Sequence, residues 1–251
     1  MTQTIRSMSV SLSTSRQELG QKASADVCNT IKALLERQES INMIFAAAPS
    51  QSEFLEHFTG SGIDFSRINA FNLDDYIGLC DQAPQRFSNF LRRHLFDKVA
   101  FRSVHLIDSS AKDANAECLR YTALLEEFPA DIVCMGIGEN AHIAFNDPGI
   151  ARFNDEYLVK AVELTKSCRL QQVNDGCFER LEDVPTHAIT LTIPALFRAK
   201  YHFCIVPGAS KAAAVRDALH GPLDENCPAS ALRTLPDCKL YLDEDSSALL
   251  R

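Results

Sequence analysis

The chain has 251 residues, of which 46% are hydrophobic, and it carries a formal net charge of −8 at pH 7. This length predicts one large domain spanning residues 1–251 rather than two small ones. The acidic balance argues against nucleic acid or an anionic membrane as the main partner, so we expect neither. The N-terminus lacks the apolar core of a signal peptide, and no window is long enough for a membrane span. We therefore expect a cytoplasmic protein.

Cysteine and histidine usage gives no sign of a disulfide framework or a metal site. Nine cysteines are scattered along the chain without a C-x-x-C pair, and the seven histidines show no zinc-type spacing. Cys134 and Cys204 stand in apolar runs that are typical of buried strands. These patterns predict buried free thiols in a reducing compartment, and no metal.

The predicted elements alternate between short apolar strands and helices. A strand opens the chain, and Ser15 with Glu18 forms a capping-box pattern that starts a helix to about Gln38. Further strands are expected at 41–48, 68–73, 103–108, 131–136, 188–193, 201–206 and 239–242. Helices are expected around 54–58, 85–98, 112–127 and 210–219. The alternation predicts an α/β fold whose doubly wound, mostly parallel, Rossmann-like sheet carries helices on both faces.

Sheets of this kind bind ligands beyond the carboxyl ends of their strands, which here are followed by the loops 49–52, 74–79, 136–148 and 207–211. The pattern Gly136-x-Gly138-x-x-Ala141 mimics a dinucleotide-binding fingerprint. An Asn-Asp-Pro sequence follows too closely for the helix that this fingerprint requires. We therefore expect no nucleotide cofactor, and we expect the two glycines to let backbone N–H groups approach a substrate.

Two of these loops carry side chains suited to acid–base chemistry. His142 shares its loop with Asn140 and Asp147, which is typical of a general acid–base pair, although such residues also cap turns. Asp74 and Asp75 follow a buried run, and the proximity of like charges can raise the pKa of one carboxyl toward a useful value. Adjacent aspartates are also common as helix or turn caps, so both interpretations stay open.

The loop 207–211 is suited to binding an oxyanion. Gly208 precedes a predicted helix, and Lys211 lies in its first turn, so free N–H groups and a cation converge there. A lysine that is simply solvated in a first helical turn is an equal alternative.

The segments FNLDDYIGL (71–79), GIGENAHIAFNDP (136–148) and GASKA (208–212) together resemble the glucosamine-6-phosphate deaminase/isomerase family in order and spacing. Galactosamine-6-phosphate isomerases and 6-phosphogluconolactonases are its relatives. The resemblance spans essentially the whole chain. It implies a small-molecule sugar phosphate as substrate and no organic or metal cofactor, and it leaves a homo-oligomer open.

The resemblance also implies residue roles. Asp74 matches the carboxylate that moves a proton between sugar carbons 2 and 1. His142 matches the histidine that assists opening of the pyranose ring, and Asp147 matches a glutamate that supports this histidine. Lys211 matches the lysine that binds the substrate phosphate.

Departures from the family pattern affect the acid–base loop. Asn140 replaces an aspartate and Ala141 replaces a glycine. Asp147 is one methylene shorter than the family glutamate, and we expect this to shift its contact with the histidine by roughly an ångström.

Further departures affect the phosphate site. The glycine- and threonine-rich phosphate loop of the family is replaced here by Ala48-Pro49-Ser50-Gln51-Ser52. The candidate phosphate-binding residues of this loop are Ser50, Gln51 and Ser52. A lid segment is expected at 150–185, in which Arg169 is the nearest match to the phosphate-binding arginine of the family.

Three functions remain open at this point. The first is a deaminase/isomerase that converts glucosamine- or galactosamine-6-phosphate to the ketose phosphate and releases ammonia. The second is a sugar-phosphate isomerase or lactonase with a changed substrate. The third is a non-catalytic sugar-phosphate sensor, since related sheets form the effector domains of bacterial repressors. Those repressors carry an added N-terminal DNA-binding unit, whereas this chain begins with a strand and a helix, so we expect an enzyme.

Overall fold

A computed structural model describes residues 8–250. Residues 1–7, at the start of the chain where a strand was expected, and residue 251 lie outside the described residues. The strands are β1 (Ser9–Ser13), β2 (Ile41–Phe45), β3 (Ile68–Asn72), β4 (Asp74–Tyr76), β5 (Ser103–His105), β6 (Ile132–Met135), β7 (Val159–Glu163), β8 (His187–Leu191), β9 (Tyr201–Val206) and β10 (Cys238–Asp243). The α-helices are α1 (Arg16–Leu35), α2 (Ser52–Thr59), α3 (Phe87–Leu91), α4 (Ala114–Glu127), α5 (Lys166–Asn174), α6 (Ile193–Phe197) and α7 (Ala212–His220). A π-helical segment, Arg92–Phe96, continues α3.

The main sheet has seven strands in the order β1-β10-β9-β6-β2-β3-β5, and every neighbouring pair is parallel. From β2 the chain continues to β3 on one side, whereas from β6 it continues to β9 on the other side. The loops that follow these two adjacent strands therefore diverge, which creates a crevice at the carboxyl edge of the sheet. The predicted fold class is confirmed.

Apolar residues cover both faces of this sheet. In β2, Met43 and Phe45 belong to a core shared with α1 and α2, whereas Ile44 belongs to a second core shared with α4 and α7. Successive side chains of a strand point to opposite faces, so a near-continuous apolar run is what a sheet covered on both sides requires. The helices on both faces agree with the prediction.

The first helix begins where the capping pattern predicted. The Ser15 hydroxyl accepts a hydrogen bond from the Glu18 amide, and the Glu18 carboxylate accepts one from the backbone of Thr14. The helix ends at Leu35 rather than near Gln38.

A second, antiparallel sheet has the order β4-β8-β7. The segment 74–79 was expected to be a loop, but its first three residues form β4, in which Asp74 pairs with Thr190. The strand expected at 188–193 lies at His187–Leu191 in this small sheet rather than in the main one. Three residues are too few to show a period of two, so a strand as short as β4 leaves no clear pattern in the sequence.

Two further observations concern the described residues as a whole. No helix within residues 8–250 combines the length and apolar character needed to cross a membrane. All nine cysteines lie in this range as free thiols; Cys134 and Cys204 are buried as predicted, whereas Cys80 is exposed.

Candidate active site

A cleft of about 520 Å³ opens at the diverging ends of β2 and β6. Seven residues expected from the sequence line it, namely Asp74, His142, Gly136, Gly138, Ser50, Gln51 and Lys211. Asn140 and Asp147 lie behind His142 and contact its ring. Ser52, Gly208 and Arg169 do not line the cleft. The fold therefore brings together residues from all four loops that the sequence singled out.

The adjacent aspartates have separate environments. Asp74 is buried, and its carboxylate accepts no hydrogen bond from residues 8–250. Burial raises the pKa of Asp74 well above its ordinary value, and the charge of Asp75 adds to this effect. The Asp75 carboxylate instead accepts hydrogen bonds from the amides of Tyr76, Phe87 and Ser88 and so caps α3. The capping interpretation is therefore confirmed for Asp75, whereas a catalytic role for Asp74 stays a prediction.

His142 is held by two oxygen acceptors. Its Nδ1 lies 2.7 Å from Oδ1 of Asn140 and 3.0 Å from Oδ1 of Asp147. Because both oxygens accept, Nδ1 carries a proton and donates it to them. In the neutral ring this leaves Nε2 as a proton acceptor. The amide of Asn140 is oriented in turn by a bond from Nδ2 to Oγ of Ser167 at 3.2 Å.

Asp147 is fully buried yet remains a carboxylate. Burial acts to raise its pKa, but hydrogen bonds from His142, Thr165 and Asn140 outweigh burial and lower the pKa. The shorter side chain, which was expected to shift this contact by roughly an ångström, still places Oδ1 3.0 Å from Nδ1 of His142. The neighbouring Asn146 donates from its side chain to the carbonyls of Ile143 and Leu191 and so ties this loop to β8.

The glycines of this loop provide space rather than free N–H groups. A Cβ added to Gly138 would lie 2.1 Å from the His142 ring, and the Gly138 amide already donates to the His142 carbonyl. A Cβ on Gly136 would lie 3.2 Å from Nε2 of Gln51. The expectation that the Gly138 N–H faces a substrate is therefore wrong. Ala141 has φ 65°, a left-handed conformation that is strained by about 1–2 kcal/mol for alanine and that accounts for the glycine of the family pattern.

Gln51 fills the floor of the cleft where the altered loop meets the sheet. Its Nε2 donates to the carbonyl of Ile205 at 3.2 Å and to Oγ of Ser50 at 3.3 Å. A carbonyl can only accept, so the amide orientation is fixed. Its Oε1 is buried and has no hydrogen-bond partner among residues 8–250. The floor of the cleft is therefore neutral, with one unpaired acceptor.

Lys211 is, among the described residues that line the cleft, the one lysine or arginine. Burial lowers its pKa, and the carboxylates of Asp175 and Glu139 oppose this effect. Gly208 does not contribute an N–H group to an anion, because its amide donates to the carboxylate of Asp243 at 3.0 Å. The expected role of Gly208 in binding an anion is therefore corrected to a turn residue, with φ 100°.

Arg169 is held away from the cleft. Its guanidinium donates to the backbone carbonyls of Leu181 at 2.7 Å and Val184 at 2.9 Å, so the expected role in phosphate binding is not supported. The same helix, α5, instead directs Gln171 and Gln172 into the cleft. The sequence reasoning missed them because no helix was expected there. Thr165, which caps α5 by accepting from the Cys168 amide, was the available signal.

One group of side chains within residues 8–250 has the composition of a metal site. Ligand atoms of His142, Asp147 and Cys168 all lie within 4.8 Å of one another. However, the histidine and the aspartate already bind each other, and burial raises the pKa of the Cys168 thiol, which therefore keeps its proton. The donor set fits a hydrogen-bonded network better than an ion. The absence of a metal requirement stays a prediction.

A parallel sheet with a buried carboxylate and a histidine–aspartate pair at its crevice defines an α/β protein equipped for acid–base chemistry on a small ligand. The family model of glucosamine-6-phosphate isomerases and 6-phosphogluconolactonase matches residues 14–239. A glucosamine-6-phosphate deaminase of Listeria welshimeri is 39% identical over 211 residues, covering 84% of this chain and 88% of that protein. The enzyme of the same name from Streptococcus sanguinis is 38% identical over 206 residues, covering 82% of this chain and 86% of that protein.

Solved structures show the same relationship. A monomeric glucosamine-6-phosphate deaminase superposes with a TM-score of 0.87 at 29% identity, covering 96% of this chain and all of that one. The 6-phosphogluconolactonase of Thermotoga maritima has the same fold, with a TM-score of 0.76 at 18% identity and coverage of 94% and 99%. The chain belongs to the glucosamine-6-phosphate isomerase/6-phosphogluconolactonase family. The predicted family and the predicted enzyme class are confirmed.

Proposed function

We propose that the protein converts an amino-sugar 6-phosphate, glucosamine- or galactosamine-6-phosphate, to the ketose 6-phosphate with release of ammonia. The observation that carries this proposal is the pair of reactive groups in one cleft. Asp74 offers a buried carboxylate without a hydrogen-bond donor among the described residues, and His142 offers the free Nε2 of a ring that is held in place by Asp147. The relatives named glucosamine-6-phosphate deaminase support the same assignment.

The first step is opening of the pyranose ring. Nε2 of His142 takes the proton of the anomeric hydroxyl and delivers a proton to the ring oxygen, which produces the open-chain aldehyde. The imidazolium formed in between lies against the carboxylate of Asp147, which stabilises its charge. Asn140 holds the ring plane but adds no charge.

The second step moves a proton between neighbouring carbons. The Asp74 carboxylate removes the proton from carbon 2 while the oxygen on carbon 1 takes up a proton from the substrate's ammonium group, which gives an enolamine. The Asp74 carboxyl then returns its proton to carbon 1, which gives an iminium at carbon 2. A carboxyl whose pKa is raised by burial is better able to hold a proton between two transfers than an ordinary one. Water then adds to carbon 2, and the amine leaves as ammonia.

The alternative is an isomerase or lactonase acting on a different sugar phosphate. One observation favours it: the floor of the cleft is neutral at Gln51. Against a lactonase, hydrolysis of a lactone needs an activated water but no carboxylate that removes a proton from carbon. The position of Asp74 in the cleft therefore favours the deaminase.

Ammonia release decides between these functions. The assay uses glucosamine-6-phosphate, galactosamine-6-phosphate and 6-phosphogluconolactone, each with and without exhaustive chelation. We expect ammonia from one of the two amino sugars and no effect of the chelator. Lactone hydrolysis without ammonia release would establish the alternative, and loss of activity that a divalent ion restores would overturn cofactor independence.

Assembly, location and the lid are further proposals. We propose a cytoplasmic enzyme with no nucleic-acid or membrane partner, in which the segment 150–185 covers the substrate through Gln171 and Gln172 of α5. Light scattering in solution distinguishes a monomer from a homo-oligomer.

A further inference from the structure

Among residues 8–250, Lys211 is the one lysine or arginine that lines the cleft, and a dianionic phosphate would be held better by a second cation near the loops that follow β2 and β9. Arg16, the first residue of α1, lies between them. Its Nη2 donates to the carbonyl of Pro49 at 3.2 Å, in the loop that follows β2. Its Nη1 would lie 3.9 Å from a Cβ added to Gly208, in the loop that follows β9.

Three details make this guanidinium available to an anion. Glu53 accepts bonds from Nε and Nη2, at 2.8 and 3.1 Å, so one edge of the guanidinium is occupied and Nη1 makes no hydrogen bond with residues 8–250. The side chain is 43% exposed. Gly208 has no side chain that could block its approach.

Arg16 and Lys211 share one electrostatic neighbourhood. The carboxylate of Asp175, at the end of α5, acts to raise the pKa of both, although for Lys211 the lowering by burial prevails and for Arg16 the bond to Glu53 is the larger effect. Lys211 belongs to the turn 208–211 and lines the cleft, and Nη1 of Arg16 lies beside Gly208 in the same turn.

We infer that Arg16 is the second cation of the phosphate subsite, where its Nη1 edge and Lys211 together bind the terminal phosphate of the substrate. The inference rests on the proposed function in one respect, namely that the ligand carries a phosphate. Arg16 has the role that was expected of Arg169, whose guanidinium is bound to backbone carbonyls. Glu53 orients Arg16 but competes with the phosphate for it.

This arrangement predicts that substitutions of Arg16 and of Glu53 change the affinity for phosphate in opposite directions. Arg16→Ala removes a cation, so the affinity for inorganic phosphate and for a hexosamine 6-phosphate should fall by about 10-fold, the lower end for a charged hydrogen bond because the group is partly exposed. Glu53→Gln removes the competing charge and keeps the cation, so both affinities should rise by roughly twofold to fivefold. Affinity for the unphosphorylated hexosamine should change in neither variant.

The test is calorimetric titration of the whole protein with inorganic phosphate, hexosamine 6-phosphate and free hexosamine. Arg102→Ala is the control, because Arg102, at 45% exposure close to the 43% of Arg16, forms an ion pair with Glu39 elsewhere on the surface. If the pair only ties α1 to α2, Arg16→Ala and Glu53→Gln should lower the melting temperature together and leave phosphate affinity unchanged, which would overturn the inference.

The inference and the proposed reaction can fail separately. Wild-type protein that binds phosphate through Arg16 but releases no ammonia from either amino sugar would support the inference and refute the deaminase. If the wild-type protein releases ammonia but Arg16→Ala leaves the phosphate affinity unchanged, the deaminase function is supported and the inference about Arg16 is refuted. No measurable binding of any phosphate by the wild type would overturn the inference whatever the reaction is.

Discussion

Nδ1 of His142 lies 3.0 Å from Oδ1 of Asp147 and 2.7 Å from Oδ1 of Asn140, so one N–H group is shared between a charged and a neutral acceptor. The family pattern has two acids around this histidine. Here the amide provides the shorter contact and the aspartate provides the charge. Orientation and charge stabilisation of the imidazole are thereby divided between two residues, and substitutions can separate them.

Asp147→Asn should reduce kcat by 100-fold or more. The variant removes the charge that stabilises the imidazolium, and an amide NH₂ at this position can force the ring into the other tautomer. Asn140→Ala, the matched comparison, keeps the charge and should reduce kcat by only about 10-fold. Steady-state kinetics of both variants test this. A larger loss in Asn140→Ala would assign the main role to the amide.

Asp74→Asn should lower turnover by two orders of magnitude or more, because a carboxamide cannot remove a proton from carbon. In the wild type, kcat should fall as pH decreases through the raised pKa of Asp74, at a higher pH than an ordinary carboxyl would give. The measurement is a pH–rate profile with circular dichroism to monitor folding. Near-normal turnover in a folded Asp74→Asn variant would remove Asp74 from the mechanism.

The same substitution should stabilise the fold at neutral pH. Between the unfolded pKa, about 3.9, and the raised folded pKa, the native state binds more protons than the unfolded state, so wild-type stability falls as pH rises through this window. Each unit of raised pKa corresponds to about 1.4 kcal/mol. We expect the melting-temperature gain of Asp74→Asn to be larger at pH 8 than at pH 5. An equal gain at both values would show that the folded and unfolded states bind the same number of protons between pH 5 and pH 8, so that the pKa of Asp74 is not raised in the folded protein.

Gly138→Ala should inactivate the enzyme without contacting the substrate. The new Cβ would lie 2.1 Å from the His142 ring, so the imidazole must move, and displacement of a reacting group by about an ångström reduces rates by about 100-fold. The crowding should also lower stability by about 1–3 kcal/mol. Gly60→Ala is the control, since its nearest atom lies at an ordinary 3.7 Å. Thermal melts and kcat check both effects, and wild-type activity in Gly138→Ala would contradict the packing described here.

Lys211→Ala should nearly abolish phosphate-dependent binding. Hydrogen bonds to charged groups contribute about 1.5–3 kcal/mol, which corresponds to roughly 10- to 150-fold in affinity. Arg169→Ala should leave affinity within about twofold but lower stability, because it releases two backbone carbonyls. Titration of both variants with a hexosamine 6-phosphate decides it. Unchanged affinity in Lys211→Ala would mean that the anion sits elsewhere or that the ligand carries no phosphate.

The parallel sheet and most of the cleft could be predicted because they rest on local signals. Apolar runs such as 41–48 mark strands buried on both faces, and the strand-end rule then directs attention to the correct loops. The strand β4 could not be predicted. It exists because Asp74–Tyr76 pair with β8, more than a hundred residues further along the chain, and the local sequence pattern does not show such a pairing.

The residues that would bind a phosphate were also only partly predictable from the sequence. The position of Arg169 in the sequence predicts a phosphate-binding role, but the direction of a side chain on a helix is set by the packing of that helix. Once α5 is in place, its glutamines face the cleft and its arginine faces the 181–184 turn. The sequence around Arg16 does not indicate its position beside Pro49 and Gly208, because both residues are distant from it along the chain.

The antiparallel pairing of β7 and β8 has a consequence for how such enzymes diversify. Glu163 pairs with His187, so the intervening chain leaves the small sheet and returns to it at one point. That stretch includes α5 and contains no strand of the parallel sheet, so we expect changes in its length or composition to leave the two anchoring residues and the parallel sheet in place. Because Asp74 is fixed in β4 by its pairing with Thr190, we expect changes in this stretch to alter the cover of the cleft while the carboxylate proposed to transfer the proton stays in place.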